Sequence, residues 1–366
     1  MKKNYIIAFL ITSFIGWAQI PPGYYDSAIG SGYTLKTQLK SIITANHNDQ
    51  GYAALMPLYT TTAFRDNYYE NDGSLLDIYS ERPTSSDPYN YTSTSQQCGN
   101  YSSEGDCYNR EHLVPQSYFD NFLVDPMKND AFHVVPSDGK VNGDRNNLPF
   151  GKVNTVNYTS QNGSKRGSNT INGFSSYNGT VFEPIDEFKG DIARIYFYFI
   201  TRYETQVTNW NYDMFNGTSD QVLTDTCLYT LLDWHCNDPV SQKEINQNNA
   251  IFAHQNNRNP YIDHPEFICQ IYPTQCTQIA NLSTNSFATN YISVYPNPSN
   301  NGNFTINSTE DLTRIVIYNI NGQLIQEVNN PSKINDNYEI TGLASGFYFL
   351  ELNNNSAKQI KKIIVN

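Results

Sequence analysis

The sequence changes its period after Cys276, and that break limits the fold more than any other feature. Before it, apolar residues recur at helical spacing. The strongest case is residues 191–204, where Ile192, Ile195, Tyr196, Phe199, Ile200 and Tyr203 make one broad apolar face. Leu35, Leu39, Ile42 and Ile43 predict an N-terminal helix, and Leu228, Leu231 and Leu232 predict another. Ser241-x-x-Glu244 has the form of a capping box opening a further helix. Residues 74–80 read as a strand and 83–105 as a polar loop. After the break, 277–290 reads as a polar linker. Short alternating segments follow at 292–295, 303–307, 313–318, 323–328, 338–340, 346–352 and 359–365, with Asn321-Gly322 as a hairpin turn. They predict a small β-sandwich. The expected fold class is therefore α+β: a mainly helical domain over 19–276, then an all-β sandwich over 291–366.

Composition removes several alternatives. Aromatic residues make up 14% of the 366 positions, ample area to bury, so most of the chain is not disordered. No internal apolar run reaches the ~20 residues of a membrane span. Lys2 and Lys3, an apolar run from Tyr5 to Ile15 and the small residues Gly16 and Ala18 read as an export signal, residues 1–18, cut after Ala18. The net charge of -12 argues against a polyanion partner at first sight. Acidic and basic residues balance between Gly105 and Thr170, however, and a neutral cleft that holds a divalent cation can bind phosphate.

Six cysteines in an exported chain fit disulfides. They fall in close couples, so the expected pairs are Cys98–Cys107, Cys227–Cys236 and Cys269–Cys276, each closing a short surface loop. The competing structural zinc site finds only His235 beside Cys236.

The chemistry is expected between Asn109 and Gly151. Two short apolar stretches, each closed by a proline (Pro115 and Pro136), read as strands. Ser137 suits a helix N-cap, with Asp138 in the first turn. On that helix Asp138, Asn142, Arg145 and Asn146 share a face of oxygen ligands and a guanidinium. Glu111 and His112 close the first strand. Adjacent strand residues point to opposite faces, so serving one site demands a twist or bulge before Pro115. Given that, Glu111 and Asn142 suit a hard cation such as Mg²⁺, with Mn²⁺ or Ca²⁺ as alternatives. His112 is expected to take a proton from water and Arg145 to steady a phosphate. His133 is expected either to orient the site or to satisfy the core.

The run Asn109-Arg110-Glu111-His112-Leu113-Val114-Pro115, with Pro136-Ser137-Asp138 and 141–147, resembles the bacterial extracellular or periplasmic endonuclease I family. The resemblance continues in 190–194, 233–235 and 257–263. It implies a ββα-metal (His-Me) finger in a mainly helical domain, with His112 as general base and Glu111 and Asn142 as metal ligands. It also implies sequence-nonspecific cleavage of DNA, often RNA too, leaving 5′-phosphates. Some members carry a Cys-rich insertion between the strands with an arginine on the scissile phosphate. Here that connection is short and Lys128 is its only basic residue, which leaves Arg145, Arg258 or Asn146 to contact the phosphate.

The motifs 294–298, 317–323, 342–348 and 361–366 resemble a type IX secretion sorting domain, which implies export and the type IX machinery as partner. The expectation is a monomeric, secreted or surface-held, metal-dependent endonuclease. Its rival is a disulfide-braced binding or adhesion protein without activity.

Overall fold

The computed structural model describes residues 20–119, 125–171, 175–283, 293–308, 311–320, 322–354 and 358–366. The expected export signal, 1–18, lies outside them. The chain forms two compact units, Met1–Cys276 and Thr277–Asn366.

The first unit is built on helix α4, Lys189–Arg202. Its apolar stripe is Ile192, Tyr196, Phe199 and Ile200, all 1% exposed or less. The other faces are buried as well, so α4 is a central helix rather than a half-exposed one. Helix α1 (Gly32–Ala45) and helix α5 (Asp225–Asn237) pack on it. Helix α6, Gln242–Gln255, begins at the expected capping box: Ser241 Oγ accepts from Glu244 N–H, and Glu244 Oε2 accepts from Ser241 N–H at 2.8 Å. Strand β1 (Tyr108–His112) pairs antiparallel with β2 (Val134–Asp138), and helix α3 (Gly139–Arg145) follows at once. A further antiparallel sheet comprises β3 (Val153–Thr159), β4 (Lys165–Asn169) and β5 (Thr180–Glu183).

Two expectations fail here. Residues 74–80 make one isolated bridge, Leu75 to Arg65, and then turn. The cause is Asp77, whose Oδ1 accepts from Tyr79 N–H at 2.8 Å and holds the segment in a tight turn. The Cys227–Cys236 pair does not form either. Both cysteines lie on α5, nine positions apart, which puts them on opposite sides of the helix and about 13 Å apart along its axis. Cys98–Cys107 and Cys269–Cys276 are bonded, with Cα–Cα spans of 5.7 and 5.6 Å.

The residues expected to be a linker open in helix α9, Pro273–Ser283; positions 284–292 are not described. The second unit has two antiparallel sheets. One runs β10–β7–β6 (Asn337–Ile340, Phe304–Asn307, Ser293–Tyr295). The other runs β12–β11–β8–β9 (Lys358–Val365, Gly346–Asn353, Arg314–Asn319, Leu324–Asn329). Alternate residues of both sheets, among them Ile306, Ile317, Ile340, Leu350 and Ile363, fill a single apolar core.

Candidate active site

β1 and β2 pair in unbroken register, with Glu111 opposite Val135 and His112 opposite Val134, so no bulge turns the strand. The alternation is kept. Asn109 and Glu111 face α3: Asn142 Nδ2 donates to Asn109 Oδ1 at 2.6 Å, and Arg145 Nη1 donates to Glu111 Oε1 at 3.1 Å. Arg110 and His112 face the other way, toward Tyr52, which stacks on the His112 ring at 5.8 Å. A cleft of about 180 Å³ is lined from both faces of the strand, by Arg110 and His112 and by Glu111, Asn142, Arg145 and Asn146. The sequence demanded a bulge; the strand meets the demand by ending at the cleft.

The loop that returns to β2 fixes the histidines. Asp130 is fully buried and accepts from Arg202 Nη1 at 2.7 Å, Tyr198 Oη at 2.9 Å, Tyr203 Oη at 2.8 Å and Gln255 Nε2 at 2.7 Å. Burial alone would raise its pKa; Arg202 and the neighbouring donors win and hold it at about 2. The turn before Asp130 is therefore anchored to α4 and α6. It presents the Lys128 carbonyl to His112 Nε2 at 3.0 Å and the Met127 carbonyl to His133 Nε2 at 2.6 Å. A carbonyl only accepts, so each Nε2 carries the proton and each Nδ1 is left as a bare lone pair. Burial, aided by nearby His133, Lys128 and Arg110, pushes His112 down to about 3, so its ring is neutral.

Glu111 is 3% exposed. Its Oε1 accepts from Arg145 and, at 3.0 Å, from Tyr79 Oη; its Oε2 has no donor among the described residues. Burial pushes it up to about 7 against the opposing pull of Arg145. With its amide nitrogen tied to Asn109, Asn142 keeps its oxygen for the cleft. A carboxylate oxygen and an amide oxygen on one polar cleft could hold a hard divalent cation with several waters.

Other expected site residues sit differently. Asp138, not Ser137, is the N-cap of α3: its Oδ1 accepts from Val141 N–H at 2.8 Å, its Oδ2 from Tyr91 Oη at 2.7 Å and Gly105 N–H at 2.9 Å. It serves the helix start rather than the cleft. Arg145 is 1% exposed, and its guanidinium also donates to the His112 carbonyl at 3.2 Å and the Leu113 carbonyl at 2.6 Å. Those bonds lock α3 to β1, which corrects the reading of Arg145 as an open phosphate clamp. Arg258 is bound to Asp263 at 2.6 and 2.7 Å and does not line the cleft. Asn146 lines it at the C-cap of α3, with φ +53°. His133 is fully buried behind His112, ring centroids 5.5 Å apart, and packs on Phe199.

Arg110 and Tyr52 lie beyond the residues that the sequence singles out for the site. Arg110 stacks its guanidinium 3.6 Å over the Tyr52 ring, and Lys128 Nζ approaches the same ring at 5.1 Å. Strand alternation was the available signal, since Arg110 and His112 are two apart and share a face. A separate apolar cavity lined by Phe64, Leu76, Phe132 and Ile251 also touches Lys243 and Glu244, but these are paired with Asp191 and Arg194, and it is core packing.

A ββα segment with a polar cleft thus lies in an α+β unit that is followed by an all-β unit. The chain belongs to the endonuclease I family, whose model matches residues 31–266. A secretion system C-terminal sorting domain matches 293–366. The extracellular ribonuclease of Bacillus subtilis (strain 168) is 30% identical over 262 residues, covering 68% of this chain and 78% of the relative. That of Bacillus amyloliquefaciens is 30% identical over 261 residues, with the same coverage. A 68-residue stretch is 38% identical to beta-agarase A of Zobellia galactanivorans, 12% of that protein's length. The chain is a secreted nuclease of the endonuclease I family that carries a type IX sorting domain.

Proposed function

We propose that this nuclease hydrolyses phosphodiester bonds in DNA and RNA without sequence preference, through a His-Me finger formed by β1, β2 and α3. The observation that carries the reading is the contact of His112 Nε2 with the Lys128 carbonyl at 3.0 Å. With Nε2 so engaged, the neutral ring leaves Nδ1 to accept a proton in the cleft that Glu111 and Asn142 also line. Nδ1 takes the proton from a water that attacks phosphorus. The bond to the 3′-oxygen breaks, which leaves a 5′-phosphate. Glu111 and Asn142 would hold a divalent cation, Mg²⁺ first, which when bound would supply positive charge to the phosphate and the departing oxygen. Arg145 and Tyr79 fix the carboxylate of Glu111 so that one oxygen stays available. Arg110 and Lys128 draw the backbone phosphates in on the Tyr52 side.

Backbone contacts ignore bases, which suits both the family name and relatives named as ribonucleases. The leader 1–18 would take the chain through the inner membrane and the sorting domain would take it onward to the surface or medium. The test is nicking of plasmid and degradation of RNA by the purified protein. Activity with Mg²⁺ that disappears in EDTA and in His112→Ala supports the reading. Full activity in His112→Ala would overturn the assigned base.

A further inference from the structure

We propose that Asp66, Glu70 and Glu81, with Asp72 and Asp87 beside them, form a structural Ca²⁺ site separate from the catalytic cleft. Ligand oxygens of Asp66, Glu70 and Glu81 lie within 4.8 Å of one another, and so do those of Glu70, Asp72 and Asp87. The two triplets share Glu70. An acidic cluster alone says little, but Glu81 is 1% exposed and neither of its carboxylate oxygens receives a hydrogen bond among the described residues. A buried carboxylate pointing into other carboxylates, with no donor of its own, is an arrangement that needs a positive charge.

The neighbouring cations are committed elsewhere. Arg82 donates to the Gln161 carbonyl, Arg65 to the Thr92 carbonyl at 3.3 Å, and Lys243 pairs with Asp191. Asp66 is already oriented as a ligand would be: it is fully buried and accepts from Tyr68 and Tyr69 N–H at 3.1 and 3.0 Å. The donors are all carboxylate oxygens, and they are carried on irregular chain. That suits the six to eight flexible ligands of Ca²⁺ better than the strict octahedron of Mg²⁺. Exported proteins also meet Ca²⁺ at the concentrations such sites require.

The rival occupant is a proton. Burial and the charges of Asp87, Glu70 and Asp66 push Glu81 up to about 9, and Glu70 is close enough to share that proton. The site has a structural consequence. The segment it would brace carries Tyr79, whose hydroxyl donates to Glu111, and leads to Tyr91, whose hydroxyl donates to Asp138.

The experiment uses the full chain and CaCl₂ alone, read by thermal unfolding and titration calorimetry, in the parent, Glu111→Gln, Glu81→Gln and Glu70→Gln. Millimolar Ca²⁺ is expected to raise the Tm of the parent by roughly 3–8 °C. Glu111→Gln keeps that increment, which separates this site from the catalytic one. Glu81→Gln loses it, and in EDTA its Tm equals or exceeds that of the parent because like charges have been removed. Glu70 is exposed, so Glu70→Gln folds whatever happens at Glu81, and its increment shrinks. A full increment in both Glu81→Gln and Glu70→Gln would overturn the proposal. So would a parent that ignores Ca²⁺ and gains stability only on acidification, the signature of the shared proton.

Discussion

The β1–β2–α3 segment and the C-terminal sandwich both rest on short antiparallel strands, and they are held together by opposite means. In the sandwich, Ile317, Leu350 and Ile363 are buried and apolar and belong to one hydrophobic core, and of their strand neighbours Val316 and Glu351 are buried as well. In the ββα segment the buried set includes Glu111, His112, His133, Ser137, Asp138 and Arg145. The sandwich is stabilised by area removed from water, which is non-directional and tolerant. The ββα segment is stabilised by hydrogen bonds and ion pairs that must each find a partner. The difference is one of means: the sandwich rests on apolar area, while the ββα segment fixes each buried polar group through a particular partner.

The sharpest break of this comparison is expected in the rate. His112→Ala removes the group proposed to take the proton, and kcat should fall by about 10²–10⁴. Removing the divalent cation should abolish turnover. Tm should fall as well in His112→Ala, because the buried ring leaves a gap against Tyr52, Phe119 and His133 and the Lys128 carbonyl loses its donor. Leu350→Ala is the converse: about 2–5 kcal/mol of stability lost in the sandwich, read by denaturant titration, with kcat unchanged.

Next in size is Asp130→Asn, which leaves the Arg202 guanidinium buried without its carboxylate. A loss of about 3–5 kcal/mol is expected in the first unit. The pH dependence follows from the sign of the shift. Asp130 is held below its ordinary value, at about 2, so its contribution is complete above about pH 4 and disappears as pH falls through 2. Its share is about 2 kcal/mol. The variant should therefore show a flatter acid limb in Tm between about pH 4 and 2.

This contrast also explains what could be read from sequence. All seven sandwich strands were legible, because period-two alternation over a one-sided core leaves a direct trace. The long helix was legible for the same reason, at period 3.6. The segment 74–80 was misread because Leu75, Leu76, Ile78 and Tyr79 are buried all round, and apolar residues buried all round look like a strand even when Asp77 coils them. Glu111, His112 and Asn142 were named from spacing and resemblance. The Lys128 carbonyl, the Tyr79 hydroxyl and the Tyr52 ring were not legible, since backbone acceptors and contacts distant in sequence leave no pattern along the chain. For Arg145 the sequence shows a guanidinium on a helix face but not its bonds to Glu111 and the Leu113 carbonyl.

A smaller effect tests the open side of the cleft. Arg110→Ala should raise KM about tenfold with less change in kcat, and lower the dependence of binding on log salt by about one. Equal losses on every sequence are expected if Arg110 meets phosphate; a loss confined to some sequences would mean that it reads bases instead.

The smallest expected effect is that of Cys236→Ser, and its contrast with Cys98→Ser separates position on a fold from proximity in sequence. Cys98→Ser opens a nine-residue loop beside β1 and should cost about 2–3 kcal/mol, since the bridge restricts the unfolded chain. Cys236→Ser should cost almost nothing. Cys236 is exposed and unbonded, and Cys227 is buried on the opposite side of α5. The same spacing of nine thus gives a bridge where the chain loops back and none where it runs on as a helix. Thiol titration of the native protein should find one reactive group, Cys236, because burial pushes the Cys227 thiol up to about 12. If Cys236→Ser destabilised the protein as much as Cys98→Ser, the two residues would have to be bridged and α5 unwound between them.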